Sequence, residues 1–372
     1  MKFILSLLLS LFMFSAVATA TPPVMKEWTF LVYLNGDNNL DSYGDKNLKD
    51  MMAIGSNNKV NVLVLRDYGA RMTSRILYVN KGSTTVVKDF NTNVDTGDYN
   101  TLVDFFKYAK ENYPANHYFM DIWNHGNGWM EFVNQRHEKG ISYDDTSGNH
   151  ITTAQMGVAS DMIKQINDGK NLDILGTDAC LMAMGEIIHE IYGSVDYLVG
   201  SEETEPAKGW NYKAFLKYLV AHPTDSAATV STQCAKTYID FYSSSDEVTQ
   251  SVIAVAEFEK ALTKVNAFVD YSKTIYEANK SQFVAALEGT RSYAEPSYKD
   301  FVHYLELLTS KIPDPQFAQV SNELKSALKA AVVYNGQLNL ENSNGISIWL
   351  PTYAGGSTLE DYQALKLSLI HI

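Results

Sequence analysis

The sequence predicts an α/β protein: a mostly parallel sheet flanked by helices, continued by a largely helical C-terminal region. Three observations carry this reading. Val60–Leu65 is an almost continuous apolar run, as expected of a strand covered on both faces. Through the first half of the chain, strand patterns alternate with amphipathic helical ones, the signature of parallel βαβ units. Two residues able to do chemistry, His125 and Cys180, each directly follow a buried-strand pattern. In open parallel sheets, ligands and chemistry collect beyond the carboxyl ends of the strands.

Taken in order, Trp28–Leu34 and Val60–Leu65 read as strands, and Arg75–Val79 with Thr85–Phe90 as a shorter hairpin-like pair. Asn100–Asn112 is an amphipathic helix with Leu102, Val103, Phe105, Phe106 and Ala109 on its inner side, stopped by Pro114. A strand then runs to His125, followed by a polar loop through about Asn149 and a helix near Thr153–Asn167. The strand Leu172–Ala179 leads to Cys180, a helix over Leu181–Tyr192 and a strand at Tyr197–Gly200. After about Glu205 helical patterns dominate, near 211–221, 226–242, 257–288, 297–310 and 316–333. Strands at Ser251–Ala256 and Gly345–Leu350 interrupt them, and a helical start at Leu359–Leu367 follows.

The first residues read as an export signal over 1–20. Lys2 supplies the positive end, Ile4 to Val17 the apolar stretch, and Ala18-Thr19-Ala20 the small-residue cleavage site. A secreted or periplasmic protein is therefore expected, with no spanning helix, a core over 21–205 and a mainly helical region over 206–372 that adds further strands. Lys and Arg number 30 against 43 Asp and Glu, a net charge of −13. Nucleic acid and anionic membranes are poor partners for such a chain. The two cysteines invite a disulfide in an exported protein. Cys234, however, shares a helical face with Val230, Tyr238 and Phe241, which suits a small buried hydrophobe.

His125 and Cys180 lie 55 positions apart, yet two neighbouring strand ends would bring them together. A thiol becomes a useful nucleophile when an imidazolium and a helix amino terminus stabilise its thiolate. His125 would supply the first and a helix beginning at Leu181 the second. The backbone N–H groups of Gly126 and Cys180 are natural donors to an oxyanion, because glycine lets a carbonyl approach the chain closely.

Asn124-His125-Gly126-Asn127-Gly128-Trp129, and Thr177-Asp178-Ala179-Cys180-Leu181-Met182-Ala183 with Glu186, resemble the two active-site motifs of the clostripain family. That family belongs to the caspase-like clan of cysteine peptidases, with gingipains, legumains and separases. The similarity runs from Trp28 to about Leu350. It takes in Tyr33–Leu40 near the first strand and Asn344–Ile348 near the end. The resemblance implies a caspase-like fold, a His125 and Cys180 dyad, and cleavage after Arg or Lys of protein or peptide substrates by a monomer. It also implies that Asp178, two positions before the nucleophile, helps line the pocket for that side chain. A carboxylate there would pair with a guanidinium or ammonium. A strand-end Asp capping the next helix is the plainer alternative.

Glu203 and Glu205, in the acidic stretch Gly200–Pro206, are the candidates for a second pocket acid, or else a solvated charge run. The oxygen-rich loops Asp37–Asp41 and Asp144–Thr146 leave calcium open, since some relatives depend on it, but neither has EF-hand spacing and turn chemistry explains both. No metal or other cofactor is required by the dyad chemistry. Relatives become active when a basic-residue bond between the two motifs is cut. The polar loop Glu131–Asn149 is expected to be exposed and offers Lys139–Gly140, preferred for its glycine, and Arg136–His137. A dyad peptidase preferring Asn or Asp, and a catalytically silent binding protein on the same scaffold, are the rival readings.

Overall fold

The computed structural model describes residues 23–129, 140–353 and 356–366; the export signal, Arg136, His137 and Lys139 lie outside them. The elements run β1 (Lys26–Asn35), α1 (Asp41–Met52), β2 (Val60–Asp67), β3 (Arg75–Asn80), β4 (Ser83–Asp89), α2 (Tyr99–Asn112) and β5 (Ala115–Trp123). Next come α3 (Thr153–Ile166), β6 (Leu172–Asp178), α4 (Gly185–Glu190), β7 (Val195–Gly200), α5 (Tyr212–Ala221), α6 (Ala227–Ile239) and β8 (Val248–Ala254). The chain continues as α7 (Val255–Gly289), β9 (Tyr298–Asp300), α8 (Phe301–Lys311), α9 (Pro315–Ala331), β10 (Val332–Leu338), β11 (Ser347–Trp349) and α10 (Gly356–Gln363).

Nine strands form one sheet in the order β10-β8-β7-β6-β5-β1-β2-β3-β4. Its centre, β7-β6-β5-β1-β2, is parallel, and antiparallel strands extend both edges. Alternation along β1 shows how the faces are covered. Leu31 and Tyr33 pack with α2, α3 and the α7–α9 helices, whereas Phe30, Val32 and Leu34 pack with α1, α5 and α6. The region after residue 206 thus supplies both helical cover and the strands β8 and β10 of the same sheet.

Three elements differ from the expectation. Helix α1 is missing from it because the apolar side chains this helix buries are only Leu48 and Met51. Val332–Leu338 continues the helical periodicity of α9 but is an edge strand, half-exposed along its length and held by antiparallel pairing with β8. Tyr298–Asp300 pairs with β11 instead of opening the helix that follows.

A buried carboxyl holds the last described segment in place. Glu186 on α4 is fully buried and accepts from Trp349 N at 2.9 Å and the Tyr362 hydroxyl at 3.0 Å. Trp129, Trp349 and Tyr362 form a three-ring cluster with centroids 4.5 to 4.8 Å apart. Burial pushes the Glu186 carboxyl up to about 7. A carboxyl raised in the fold contributes stability that is complete below its ordinary value of 4.5 and is lost as pH rises through about 7. Glu186→Gln keeps an acceptor without the charge. Thermal midpoints of the wild type should therefore fall more steeply than the variant's from about pH 5 to about pH 8. Parallel pH profiles would show that Glu186 is not ionising in this range.

Candidate active site

β5 and β6 are parallel neighbours, with Trp123 opposite Asp178, so the chain leaves the sheet at the same level on both strands. His125 and Cys180, each two residues beyond its strand, line one cavity of about 250 Å³. Leu40, Trp123, Asn124, Asp178, Glu205, Pro206 and Gly209 are among its other walls.

Asn124 fixes the exit from β5. Its amide donates to Asn35 O at 2.8 Å and its carbonyl accepts from Tyr143 N at 2.8 Å, tying the ends of β1 and β5 to the 140–143 stretch. Nε2 of His125 lies 2.7 Å from Asn39 Oδ1. An amide oxygen only accepts, so Nε2 is the donor in this contact. Asn39 was not singled out in the sequence as a partner of His125; its place just beyond the end of β1, beside β5, was the available signal.

Gly126 passes against the Cys180 loop. A Cβ there would stand 2.5 Å from the Cys180 carbonyl oxygen, inside any tolerable contact. Asn127 N in turn donates to Gly140 O, and the Tyr298 hydroxyl donates to Asn127 O at 2.8 Å. The two strand-end loops thus pass nearly in contact at Gly126 and Cys180.

The expected helix amino terminus at Cys180 is not there. Leu181 takes a positive φ of 63°, and helix α4 begins only at Gly185. Ala183 instead donates to Ser201 O and accepts from Ser347 N of β11, while Met184 N closes a tight turn onto Met182 O. The Cys180 sulfur is met by the backbone N–H of Glu205 at 3.2 Å. Burial outweighs that bond, and the Glu203 and Asp178 carboxylates add to it, so the thiol is pushed up and rests protonated. Cys180 and Cys234 are both free, and Cys234 is buried on α6 beside Val230 and Tyr238, whereas Phe241 turns outward.

The acids separate clearly. Asp178 and Glu205 both line the cavity. Asp178 Oδ2 accepts from Trp210 N at 3.1 Å and from the Tyr212 hydroxyl at 2.7 Å, and Trp210 Nε1 donates to Glu205 Oε2 at 3.1 Å. Oε1 of Glu205 is buried without a donor. Burial followed by the neighbouring charge of Asp178 raises the Glu205 carboxyl well above its ordinary value, while Asp178, raised mainly by burial, stands at about 6. Gly209 lets the chain come this near: at φ 63° its missing Cβ would fall 2.7 Å from Asp178 Oδ2. Among the described residues no Lys or Arg pairs with Asp178, Glu205 or Asp121. Glu203 does not join them. Its carboxylate accepts from Thr204 N and Ala294 N and serves to hold a neighbouring loop, which corrects its candidacy as a pocket acid.

The two oxygen-rich loops meet. Asp37 and Asp144 lie with Asp67 so that one carboxylate oxygen of each falls within 4.8 Å of the others, all three residues buried. Asp67 was not foreseen in this group. Thr96, Ser74, Gly69, Ser147 and Thr146 supply donors to the three, as turn chemistry would. The expectation of an exposed loop through Asn149 also needs correction at its far side. Gly140, Ile141 and Ser142 are buried, and Ile141 pairs with Ile151 and Gly126.

The clostripain family model matches residues 32–366. The chain belongs to the clostripain family, the C11 peptidases. Clostripain of Hathewaya histolytica is 30% identical over 121 residues, a stretch that spans 31% of this chain and only 23% of that protein. A secreted C11 cysteine protease from Bacteroides thetaiotaomicron, solved with an irreversible peptide inhibitor, superposes with a TM-score of 0.71 at 20% identity, over 91% of this chain and 97% of its own. An inactive zymogen C11 protease from Parabacteroides distasonis gives 0.71 at 20% identity, over 93% and 98%. These likenesses establish a shared fold. No helix among the described residues is long and apolar enough to cross a membrane.

The contact at Gly126 yields a direct test. Gly126→Ala should leave the thermal midpoint within a few degrees of wild type but lower kcat/KM for peptide hydrolysis by about tenfold or more, since the walls carrying His125 and Cys180 must part. Unchanged kcat/KM would show that this approach is not needed.

Proposed function

We propose that the chain is an exported endopeptidase that cuts after Arg or Lys by acyl transfer through Cys180, with His125 as its acid–base partner. The observation that supports this most is one cavity lined by a thiol, an imidazole and two carboxyls that no Lys or Arg among the described residues neutralises. A basic side chain entering it would supply the missing cation, and the desolvated pair would discriminate strongly against neutral and acidic ones.

In the first step His125 Nδ1 takes the thiol proton as Sγ bonds to the carbonyl carbon. The carbonyl electrons move to oxygen, held by the N–H groups of Gly126 and Cys180. The imidazolium then gives its proton to the leaving amine as the C–N bond breaks. Water, deprotonated by the same imidazole, cleaves the thioester and returns the thiol. No cofactor enters these steps.

Self-cleavage between the two motifs follows from the same specificity. Lys139–Gly140 is the bond we favour, and it demands that the buried Gly140 first leave its place beside Asn127, with Arg136–His137 as the second arm.

Cys180→Ala should abolish turnover and labelling by a peptide-based alkylating inhibitor, while Cys234→Ala leaves both nearly intact. On peptides varied only before the cut, Arg and Lys should be cleaved and Gln or Asp hardly at all. Asp178→Asn and Glu205→Gln should each lower kcat/KM on basic peptides by about tenfold or more. Turnover in Cys180→Ala, or equal cleavage after Arg and Asp, would overturn the assignment. Purified wild type should also split within the loop, with N-terminal sequencing reporting Gly140 or His137, and Cys180→Ala should remain whole. A wild type that stays whole and fully active would refute self-activation alone.

A further inference from the structure

We infer that Asp121 is a neutral carboxylic acid beneath the first substrate pocket, and that through Tyr212 it is a positioning residue fixing the orientation and charge of Asp178. The inference rests on reading that pocket as a receptor for Arg or Lys side chains.

Asp121 lies within β5, between Val32 of β1 and Gly176 of β6, and its side chain has no solvent exposure. Oδ1 accepts from Asp178 N at 3.2 Å. Oδ2 lies 2.7 Å from the Tyr212 hydroxyl oxygen, which lies equally close, 2.7 Å, to Asp178 Oδ2. A tyrosine hydroxyl has one hydrogen, and oxygens approach to 2.7 Å only with a hydrogen between them. Tyr212 can serve one of these contacts, so the second hydrogen must come from a carboxyl.

That proton belongs to Asp121. Asp178 receives the Trp210 N–H as well as the hydroxyl and borders the cavity, where water or a cation can reach it. Asp121 has a single backbone N–H and no route to solvent. The groups facing this pocket floor are Asp178 from β6, Glu205 from the loop after β7, Tyr212 from α5 and the Cys234 thiol from α6. All are acidic or neutral, and a second buried anion has no partner among them. Burial, followed by the charge of Asp178, accordingly raises the Asp121 carboxyl well above its ordinary value.

The hydrogen bonds then run one way. Asp121 O–H donates to the Tyr212 oxygen, and Tyr212 O–H donates to Asp178. Tyr212 cannot turn to donate downwards, so its hydrogen stays on Asp178 and holds that carboxylate toward the cavity. Asp121 touches no substrate and acts only through this chain.

Asn is the neutral mimic, because its amide can donate to Tyr212 and its carbonyl can accept from Asp178 N. In the full-length chain, Asp121→Asn should stay within about threefold of wild type in kcat/KM on Arg and Lys peptides. Asp121→Leu and Tyr212→Phe should raise KM for those peptides about tenfold or more while changing kcat less. Infrared spectra at neutral pH supply a readout independent of turnover: the wild type should show a buried protonated-carboxyl band that Asp121→Asn lacks. A band unchanged in Asp121→Asn would overturn the inference. So would a KM in that variant raised as far as in Tyr212→Phe, because the negative charge would then be the active feature, or a wild-type KM in both Asp121→Leu and Tyr212→Phe. Should Asp121→Leu fail to fold, Asp121→Asn and Tyr212→Phe still decide the matter. A wild type indifferent to Arg, Lys and Gln would instead sink the pocket reading, and the infrared band would still judge the protonation of Asp121.

Discussion

Three carboxyls gathered under one cavity, without a basic partner among the described residues, are the constraint around which this end of the sheet is organised. Asp121 and Asp178 come from adjacent parallel strands and Glu205 from the loop after the next. Leaving several acids buried together is unfavourable unless protons or donors intervene. The protein supplies Tyr212, Trp210 N and Trp210 Nε1 for that purpose. Such a cluster lowers the stability of the empty fold, and on the proposed reading a cation reaching its open side would relieve it. The cavity wall is that open side.

The nucleophile loop is shaped by a similar compromise. A helix starting at Cys180 would have offered a macrodipole to the thiolate. Instead the chain turns through a left-handed Leu181 and a second tight turn at Ala183 to reach Met184, which bridges to Ser347. This route brings residues 201–205 beside the sulfur, so the Glu205 N–H replaces the helix terminus as its donor. It also explains why Gly126 must lack a side chain, since the two strand-end loops pass nearly in contact.

Much of this was legible in the sequence, and the failures share a cause. Central strands announced themselves as apolar runs, and His125, Cys180, Gly126 and Asp178 stood out because each marks the end of such a run. Asp121 did not, because a single acid inside Tyr118–Trp123 reads as an interruption until its partners are known, and Tyr212 reads as an ordinary core aromatic of a helix. Glu203 and Glu205 were indistinguishable by spacing. Their difference lies in backbone direction: Glu203 turns toward Ala294 and Glu205 toward Trp210. The edge strand β10 and the polar helix α1 were lost because partners distant in sequence, not local periodicity, define them.

Glu205 joins the two halves of the site. Its backbone N–H bonds the Cys180 sulfur while its carboxyl stands beside Asp178 in the pocket. A cation drawn to that carboxyl acts on the same residue that contacts the nucleophile. A proton lost from Glu205 leaves a carboxylate beside that sulfur, which by itself opposes ionisation of the thiol. On the proposed specificity, a guanidinium or ammonium that balanced this charge would bear on side-chain recognition and on the thiol through one residue.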